Sequence, residues 1–245
     1  MIGSLFWEDK INCISLRESK ILASKRSQWR EDKLDMSKKR LVDLPIRYGR
    51  KSSSRFCTYT MAFSNSINEY GKGFCVPYKQ KIDVSENFNQ LYCQALELAT
   101  VEGISKNEEN KLVKKWGSVG LLFSSTFKIK NAALVDKIET YWAQYFKKIN
   151  IDLYRIDENE ENSISNRGIL NLKFEDEIDD VDYFLATPVS PNVKSYPLPE
   201  EIANAMNTTR EKYFRYFTQN YKCGIRTKDD AQIIELLPQE IKDDL

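Results

Sequence analysis

The chain has 245 residues, in which 37 lysines and arginines nearly balance 36 aspartates and glutamates, and it contains five cysteines and no histidine. Imidazole is the usual general base and a frequent metal ligand near neutral pH. Its absence therefore excludes a Ser-His-Asp triad, a Cys-His pair, an HExxH zinc site and a histidine phosphotransferase. Any chemistry would depend on carboxylates, lysine, tyrosine, serine or cysteine, or on a partner subunit.

Chain length and a hydrophobic content of 41% predict one globular domain with a sizeable core. No apolar run approaches the roughly 20 residues needed to cross a bilayer, and the first ten residues, MIGSLFWEDK, carry acids where a signal peptide carries bases. We therefore expect a cytoplasmic protein without membrane contact. An odd number of cysteines and no CxxC pair disfavour disulfides and a zinc knuckle, so reduced thiols are expected at positions 13, 57, 75, 93 and 223.

The near-zero net charge hides an uneven distribution. Residues 1–55 hold fourteen basic and seven acidic residues, whereas residues 152–182 hold eleven acidic and three basic residues. Segments of opposite sign can face different partners or dock on each other, and the alternative is that both are solvated surface.

Residues 1–45 are predicted to form a basic N-terminal arm, separate from a single domain at 46–245. Their apolar positions are too scattered for a strongly amphipathic helix, so a partner or the main body would have to order them. The arm should end before Pro45, because the residue preceding a proline is disfavoured in a helix. A basic, hydroxyl-rich loop is expected at 47–55, followed by a strand at 56–63 that forms a hairpin with a second strand at 73–76.

The remaining elements follow from hydrophobic periodicity. Helices are predicted from an N-cap at Ser85 to Gly103, over 131–149, from Pro199 to Gly224, and from a cap at Asp229 to Pro238. Strands are predicted at 116–123, 151–156, 169–174 and 182–187. Aromatic residues at helical spacing are expected in the core, with Tyr216 as the one expected at the surface. The fold class is therefore α+β, with a mixed sheet of about five to six strands covered by helices.

The basic loop is the first candidate site. Its guanidinium and ammonium groups could bind phosphate, and tyrosine rings, with Tyr59 nearby, could stack on the bases of a single strand. The candidate phosphate-binding or nucleic-acid-binding residues are Arg47, Tyr48, Arg50, Lys51 and Arg55.

An acidic strip is the second candidate. We interpret it as a partner-binding loop formed by Glu175, Asp176, Glu177, Asp179 and Asp180. Grouped carboxylates could also hold Mg²⁺ for phosphodiester chemistry, with Asp182 at the start of a strand, but no Glu-x-Lys lies on an apolar strand. Walker A and GxGxxG motifs are missing from the sequence. We therefore expect no cofactor, no metal site and no catalytic residue.

Four groups of residues resemble a bacterial family of small accessory proteins from mobile or antiphage-defence operons: 46–50 with 58–61 and 63–64, then 116–122, then 182–187, and finally 213–214 with 224–225 and 227. The middle subunit of Lamassu-type defence systems is the nearest named analogue. The resemblance leaves out the arm and implies no particular functional residue.

The leading interpretation is a non-catalytic accessory subunit that docks through its charged arm and acidic loops onto a larger ATPase or nuclease of the same operon. The alternative is a DNA-binding or RNA-binding protein that uses residues 47–55. A Mg²⁺-dependent nuclease is a third interpretation.

Overall fold

The described residues, 1–9, 11, 13, 17–52, 58–65, 70–105, 110–174, 178, 180–208 and 214–245, form an α+β structure in a computed structural model. The helices are α1 (Ser4–Trp7), α2 (Arg17–Lys33), α3 (Phe88–Glu102), α4 (Ser125–Lys130), α5 (Ala132–Ala143), α6 (Pro199–Thr208), α7 (Phe214–Lys222), α8 (Asp230–Leu236) and α9 (Gln239–Lys242). The strands are β1 (Arg40–Leu44), β2 (Ile46–Ser52), β3 (Thr58–Phe63), β4 (Gly71–Cys75), β5 (Val113–Lys114), β6 (Gly117–Ser118), β7 (Gly120–Phe123) and β8 (Tyr183–Ala186).

These strands form antiparallel two-stranded sheets: β1 with β4, β2 with β3, β5 with β6, and β7 with β8. A single sheet of five to six strands is not confirmed within the described part of the chain. The predicted hairpin of residues 56–63 with 73–76 is wrong, because β3 pairs with β2 from Ile46↔Phe63 to Ser52↔Thr58 and leaves β4 to β1. Residues 47–52, predicted to be the first part of the basic loop 47–55, therefore belong to a strand.

Several predicted elements are confirmed with shifted ends. Residues 182–187 contain β8, whose Tyr183 lies opposite Phe123 of β7. Helix α3 ends before Gly103, which has a φ of 76° suited to glycine. Its cap is Asn87 instead of Ser85, since the Asn87 side chain accepts from the Gln90 N–H at 3.3 Å.

Two predicted strands are wrong. Residues 151–154 form a 3₁₀ turn, capped by the Asn150 side chain, which accepts from the Asp152 N–H at 3.2 Å. Residues 169–174 form only isolated bridges, with Ile169 beside Leu121 and Leu170 beside Ile164. Both segments have apolar residues at strand-like spacing, but a strand also needs a neighbour with free backbone groups.

The N-terminal residues share one buried cluster with the rest of the described chain. Leu5, Phe6 and Trp7 of α1 and Trp29 of α2 lie in it. The rings of Phe6 and Phe74 stack with centroids 4.4 Å apart, which joins α1 to β4. Residues 1–45, predicted to be an arm, thus contribute both core residues and a paired strand, β1.

Two buried arginines of α2 add polar contacts to the apolar contacts between residues 1–45 and the rest of the described chain. Arg26 pairs with Glu8, donates from Nη2 to Glu102 at 3.1 Å, and donates from Nε to the Val101 carbonyl at 2.9 Å. These contacts link α2 to the residue after α1 and to the last turn of α3. Because a buried charge is tolerated only when it is paired and hydrogen-bonded, Arg26 requires all three elements to be in place.

Arg30, one turn further along α2, is held by backbone carbonyls. It donates to the Leu5 carbonyl at 2.8 Å and to the Glu8 carbonyl at 2.7 Å, which are acceptors at the end of α1. Burial, together with the nearby charge of Arg26, lowers the pKa of Arg30.

Cys75, Cys93 and Cys223 form no disulfide with one another or with other described residues, and Cys57 lies outside the described residues. Over the described ranges, no helix is both long enough and apolar enough to span a membrane.

Replacing Arg26 by methionine should destabilise the protein by about 3–5 kcal/mol, because it removes the buried guanidinium that pairs with the carboxylate of Glu8. Lys33→Met is the matched control on the same helix. Lys33 pairs with Glu97 of α3 at 2.7 Å, but both side chains are partly exposed, so loss of this pair should cost less than about 1 kcal/mol. Urea denaturation at neutral pH measures both values, and equal unfolding midpoints for the two variants would contradict the role given to Arg26.

Candidate nucleic-acid interface

The sequence-predicted basic residues lie on β2, where several of them contact other parts of the protein. The Arg47 guanidinium lies over the Tyr196 ring at 3.9 Å from its centroid. Arg50 donates to the carbonyl of Ser190 at 2.5 Å and to its hydroxyl at 3.1 Å. Lys51 is exposed, with its ammonium 4.8 Å from the centroid of the Tyr59 ring. Arg55 is outside the described residues.

Tyr48 is buried, with 2% of its surface exposed, and packs against Phe217 at 6.5 Å between ring centroids. Its ring therefore has no face for a nucleic-acid base, and Tyr59 is buried too. Burial, with a contribution from Asp230, raises the pKa of Tyr48 well above its usual range. Of the predicted loop residues that the structure describes, only Lys51 is fully available to a phosphate.

The acidic strip lies mostly outside the described residues, which leave out Glu175, Asp176, Glu177 and Asp179. Asp180 is described, and it pairs with Arg40 of β1 at 2.6 Å, an interaction that lowers the pKa of Asp180. This pair joins the basic segment to the acidic segment within one molecule. In the described ranges, no group of three or more cysteine or carboxylate side chains could hold a metal ion.

A second basic surface is formed by two parts of the chain that are distant in sequence. The first is the segment at the β5–β6 hairpin, which carries Lys111, Lys114 and Lys115. The Lys114 ammonium donates to the Gly103 carbonyl at 3.0 Å, which attaches this hairpin to the end of α3. Lys111 and Lys115 are exposed.

The second part is the end of α5 and the 3₁₀ turn that follows it, at Gln144–Phe146. Lys147 and Lys148 are exposed here. Tyr145 lies beside them with 39% of its surface exposed, and it stacks on Tyr92 of α3 with ring centroids 4.2 Å apart. The Tyr92 hydroxyl donates to the Asn110 carbonyl at 2.9 Å, so one tyrosine both supports Tyr145 and anchors the lysine segment.

We call this surface the lysine–tyrosine surface and define it by Lys111, Lys114, Lys115, Tyr145, Lys147 and Lys148. It encloses a concave space of about 560 Å³ whose described lining contains five lysines and no aspartate or glutamate. No ion pair among the described residues involves Lys115, Lys147 or Lys148. Such a concave, positively charged surface can hold phosphate groups, and the exposed tyrosine ring can receive a base.

Sequence patterns do not predict this surface because its two groups of lysines, at 111–115 and at 147–148, are about thirty residues apart. The pair at 147–148 is explained equally well by the end of a helix, and aromatic residues at helical spacing predict core positions. The core position predicted for Tyr141 and Tyr145 is wrong, because both side chains are exposed. The surface position predicted for Tyr216 is also wrong, because Tyr216 is buried.

Comparison of the chain with models of protein families, with curated proteins and with solved structures found no match. The resemblance to antiphage-defence accessory proteins thus stays a prediction from the residues that carry it.

The buried carboxyl of Asp230, which interacts with Tyr48, should make the stability of the fold depend on pH. Burial raises the pKa of Asp230 from 3.8 to about 7, although the Thr227 hydroxyl donates to its carboxylate. A carboxyl with a raised pKa in the folded state stabilises the fold at low pH, and that contribution is lost as pH rises. The free energy of unfolding should therefore fall by about 1.4 kcal/mol per pH unit from this group across the window from pH ~4 to ~7.

Asp230→Asn should remove this dependence, so the variant should gain stability over the wild type as the pH is raised from 4 to 8. Urea unfolding at both pH values measures the difference. Asp229→Asn, at a partly exposed neighbouring carboxyl, is the control and should leave the dependence in place. Identical pH profiles for Asp230→Asn and the wild type would show that the pKa of Asp230 is the same in the folded and unfolded states.

Proposed function

We propose that this protein binds single-stranded nucleic acid through the lysine–tyrosine surface. The observation that carries the proposal is the convergence of five lysines and an exposed, supported tyrosine ring on one concave space with no described carboxylate in its lining. Neutralising phosphates releases condensed counterions, and this release is the general source of affinity for nucleic acids.

The preference for a single strand comes from Tyr145. A base can stack on an aromatic ring only when it is free of its own helix, and such stacking contributes about 1–3 kcal/mol per base. Stacking on Tyr92 holds the Tyr145 ring in place, so less conformational entropy is lost on binding. A duplex would offer phosphates to the lysines but no free base to the ring.

The loop predicted from the sequence is a weaker candidate for the same function. Tyr48 is buried, and the guanidinium groups of Arg47 and Arg50 already contact Tyr196 and Ser190. A phosphate at β2 would meet Lys51 and would have to compete with internal contacts for the two arginines.

Docking onto a larger ATPase or nuclease of an antiphage-defence operon, as a non-catalytic accessory subunit, is a separate prediction from the sequence. It is compatible with nucleic-acid binding, since a subunit that holds a single strand could serve a catalytic neighbour. Copurification with the products of adjacent genes at physiological salt is its test, and elution without any partner would contradict it.

Lys147→Ala with Lys148→Ala should weaken binding of a fluorescein-labelled single-stranded oligonucleotide by about tenfold or more, measured by anisotropy. The slope of log K against log salt should become shallower by about 0.7 for each phosphate that the variant no longer neutralises. Lys25→Ala with Lys194→Ala, at two lysines exposed elsewhere, is the control and should leave both values near wild type.

Tyr145→Leu should weaken binding of the single strand by about fivefold or more because a base can no longer stack there, with little effect on the salt slope. Tyr141→Leu is its matched control, because Tyr141, on α5 just before the 3₁₀ turn that holds Tyr145, is similarly exposed but packs on Phe88 and does not line the concave space. Salt-independent binding, or equal effects of the surface variants and their controls, would contradict the proposal. A loss confined to Lys51→Ala would return the function to β2.

A further inference from the structure

The positive charge of the lysine–tyrosine surface is concentrated around a single aromatic ring. Lys147 and Lys148 follow Tyr145 directly in the chain, after Phe146. The other three lysines belong to the segment at the β5–β6 hairpin, and all five line the same concave space of about 560 Å³ as Tyr145. This volume lies in the range of about 300–1,000 Å³ that is typical of a pocket for one small molecule.

Tyr92 of α3 holds the hairpin segment beside this ring. The Tyr92 ring stacks on the Tyr145 ring with centroids 4.2 Å apart and an angle of 19° between their planes. The Tyr92 hydroxyl donates to the carbonyl of Asn110 at 2.9 Å, and Asn110 immediately precedes the first hairpin lysine. The Lys114 ammonium donates to the Gly103 carbonyl at 3.0 Å, which attaches the same segment to the end of α3. Lysines of the two segments are therefore gathered at one ring.

An internal stretch of a single strand matches so compact a site less well than a strand end does. Each internal nucleotide brings one phosphate charge. Proteins that bind single strands without sequence preference use grooves that follow the backbone, over about 4–16 nucleotides in each OB fold. One internal nucleotide stacked on Tyr145 would place a single phosphate charge among five ammonium groups.

A nucleoside 5′-triphosphate supplies more charge beside one base. Its two inner phosphates carry one negative charge each, and a terminal phosphate, whose second pKa is about 6, carries nearly two at neutral pH. The ligand thus brings about four negative charges attached to one base. Lysine suits such a ligand, because its ammonium is a compact charge that binds phosphate in many orientations. The described lining of the concave space contains no aspartate or glutamate that would repel these charges.

We propose that the lysine–tyrosine surface binds a nucleoside 5′-triphosphate, whose base stacks on Tyr145 and whose phosphates lie among the five lysines. This inference rests on the proposed function, because it places the end of the single strand on the same surface. The ligand is either the 5′-triphosphate end of an RNA strand or a free nucleotide. Both share the same chemistry, and competition distinguishes them.

Three short RNA oligonucleotides of one sequence test the proposal on the intact chain. They carry a 5′-triphosphate, a 5′-monophosphate or a 5′-hydroxyl group, and each has fluorescein at its 3′ end for measurement of affinity by anisotropy. The triphosphate strand should bind about tenfold or more tightly than the hydroxyl strand, with the monophosphate strand between them. Its slope of log K against log salt should be steeper by about 0.7 for each added charge that the lysines neutralise.

Substitutions on each side of the concave space test the location. Lys111→Ala with Lys115→Ala removes two hairpin lysines, and Lys147→Ala with Lys148→Ala removes the two that follow Tyr145. Each pair should reduce the preference for the triphosphate strand over the hydroxyl strand to about threefold or less. The control in which two lysines are replaced elsewhere should keep the full preference. Circular dichroism identifies the folded variants.

Competition with unlabelled molecules identifies the source of the triphosphate. Inorganic tripolyphosphate has similar charge but no base, so it should displace the labelled triphosphate strand about fivefold or more weakly than GTP does. An unlabelled triphosphate strand that competes better than GTP would identify the strand end as the ligand. Equal or weaker competition by that strand would identify the free nucleotide.

Equal affinities of the triphosphate and hydroxyl strands would overturn this inference and would leave the proposed function in place. Binding of none of the three strands would contradict the proposed function as well. A triphosphate preference that persists in both folded lysine variants would also overturn the inference, and so would tripolyphosphate that competes as well as GTP.

Discussion

Burial of two arginines on α2 is the constraint on which the rest of the structure depends. A guanidinium removed from water destabilises the fold unless its charge and its donors are matched. Arg26 forms ion pairs with Glu8 and Glu102 and donates to the Val101 carbonyl. Arg30 donates to backbone carbonyls at the end of α1. These contacts hold α1, α2 and α3 together, and they thereby position β1, which follows α2 and pairs with β4.

The same contacts show that part of the basic charge in residues 1–55 is not available to a partner. The excess of bases in residues 1–55 suggests a surface for an acidic partner, but part of that charge is used inside the molecule. Arg26 and Arg30 are buried, Arg40 pairs with Asp180, and Arg50 donates to Ser190. Exposed lysines from two other segments, distant from each other in sequence, meet on the lysine–tyrosine surface without a described carboxylate in its lining. Fold and candidate function are thus connected through the placement of charge.

Local patterns in the sequence predict part of the secondary structure and the fold class well. Helix α3 and strand β8 are recovered because each depends on a short apolar pattern with clear ends, and the α+β class follows from their mixture. Strand pairing is not recovered, because it depends on partners distant in sequence, and the 46–52 strand carries arginines and a lysine that are typical of a loop. The exposure of Tyr145 is not recovered for a related reason, since a stripe at helical spacing does not reveal which residue leaves the core at the helix end.

The central claim is that α2 and β1 belong to the same cooperative unit as α3 and β4, held there by Arg26 and Arg30. Native-state hydrogen exchange, followed by mass spectrometry on the intact chain, tests it most directly. We expect amides within α2 and β1 to exchange with an opening free energy close to that of α3 and β4. Exchange of α2 and β1 that is faster by several orders of magnitude, with α3 and β4 still protected, would contradict this claim and would make residues 1–45 the loosely attached arm that the sequence suggests.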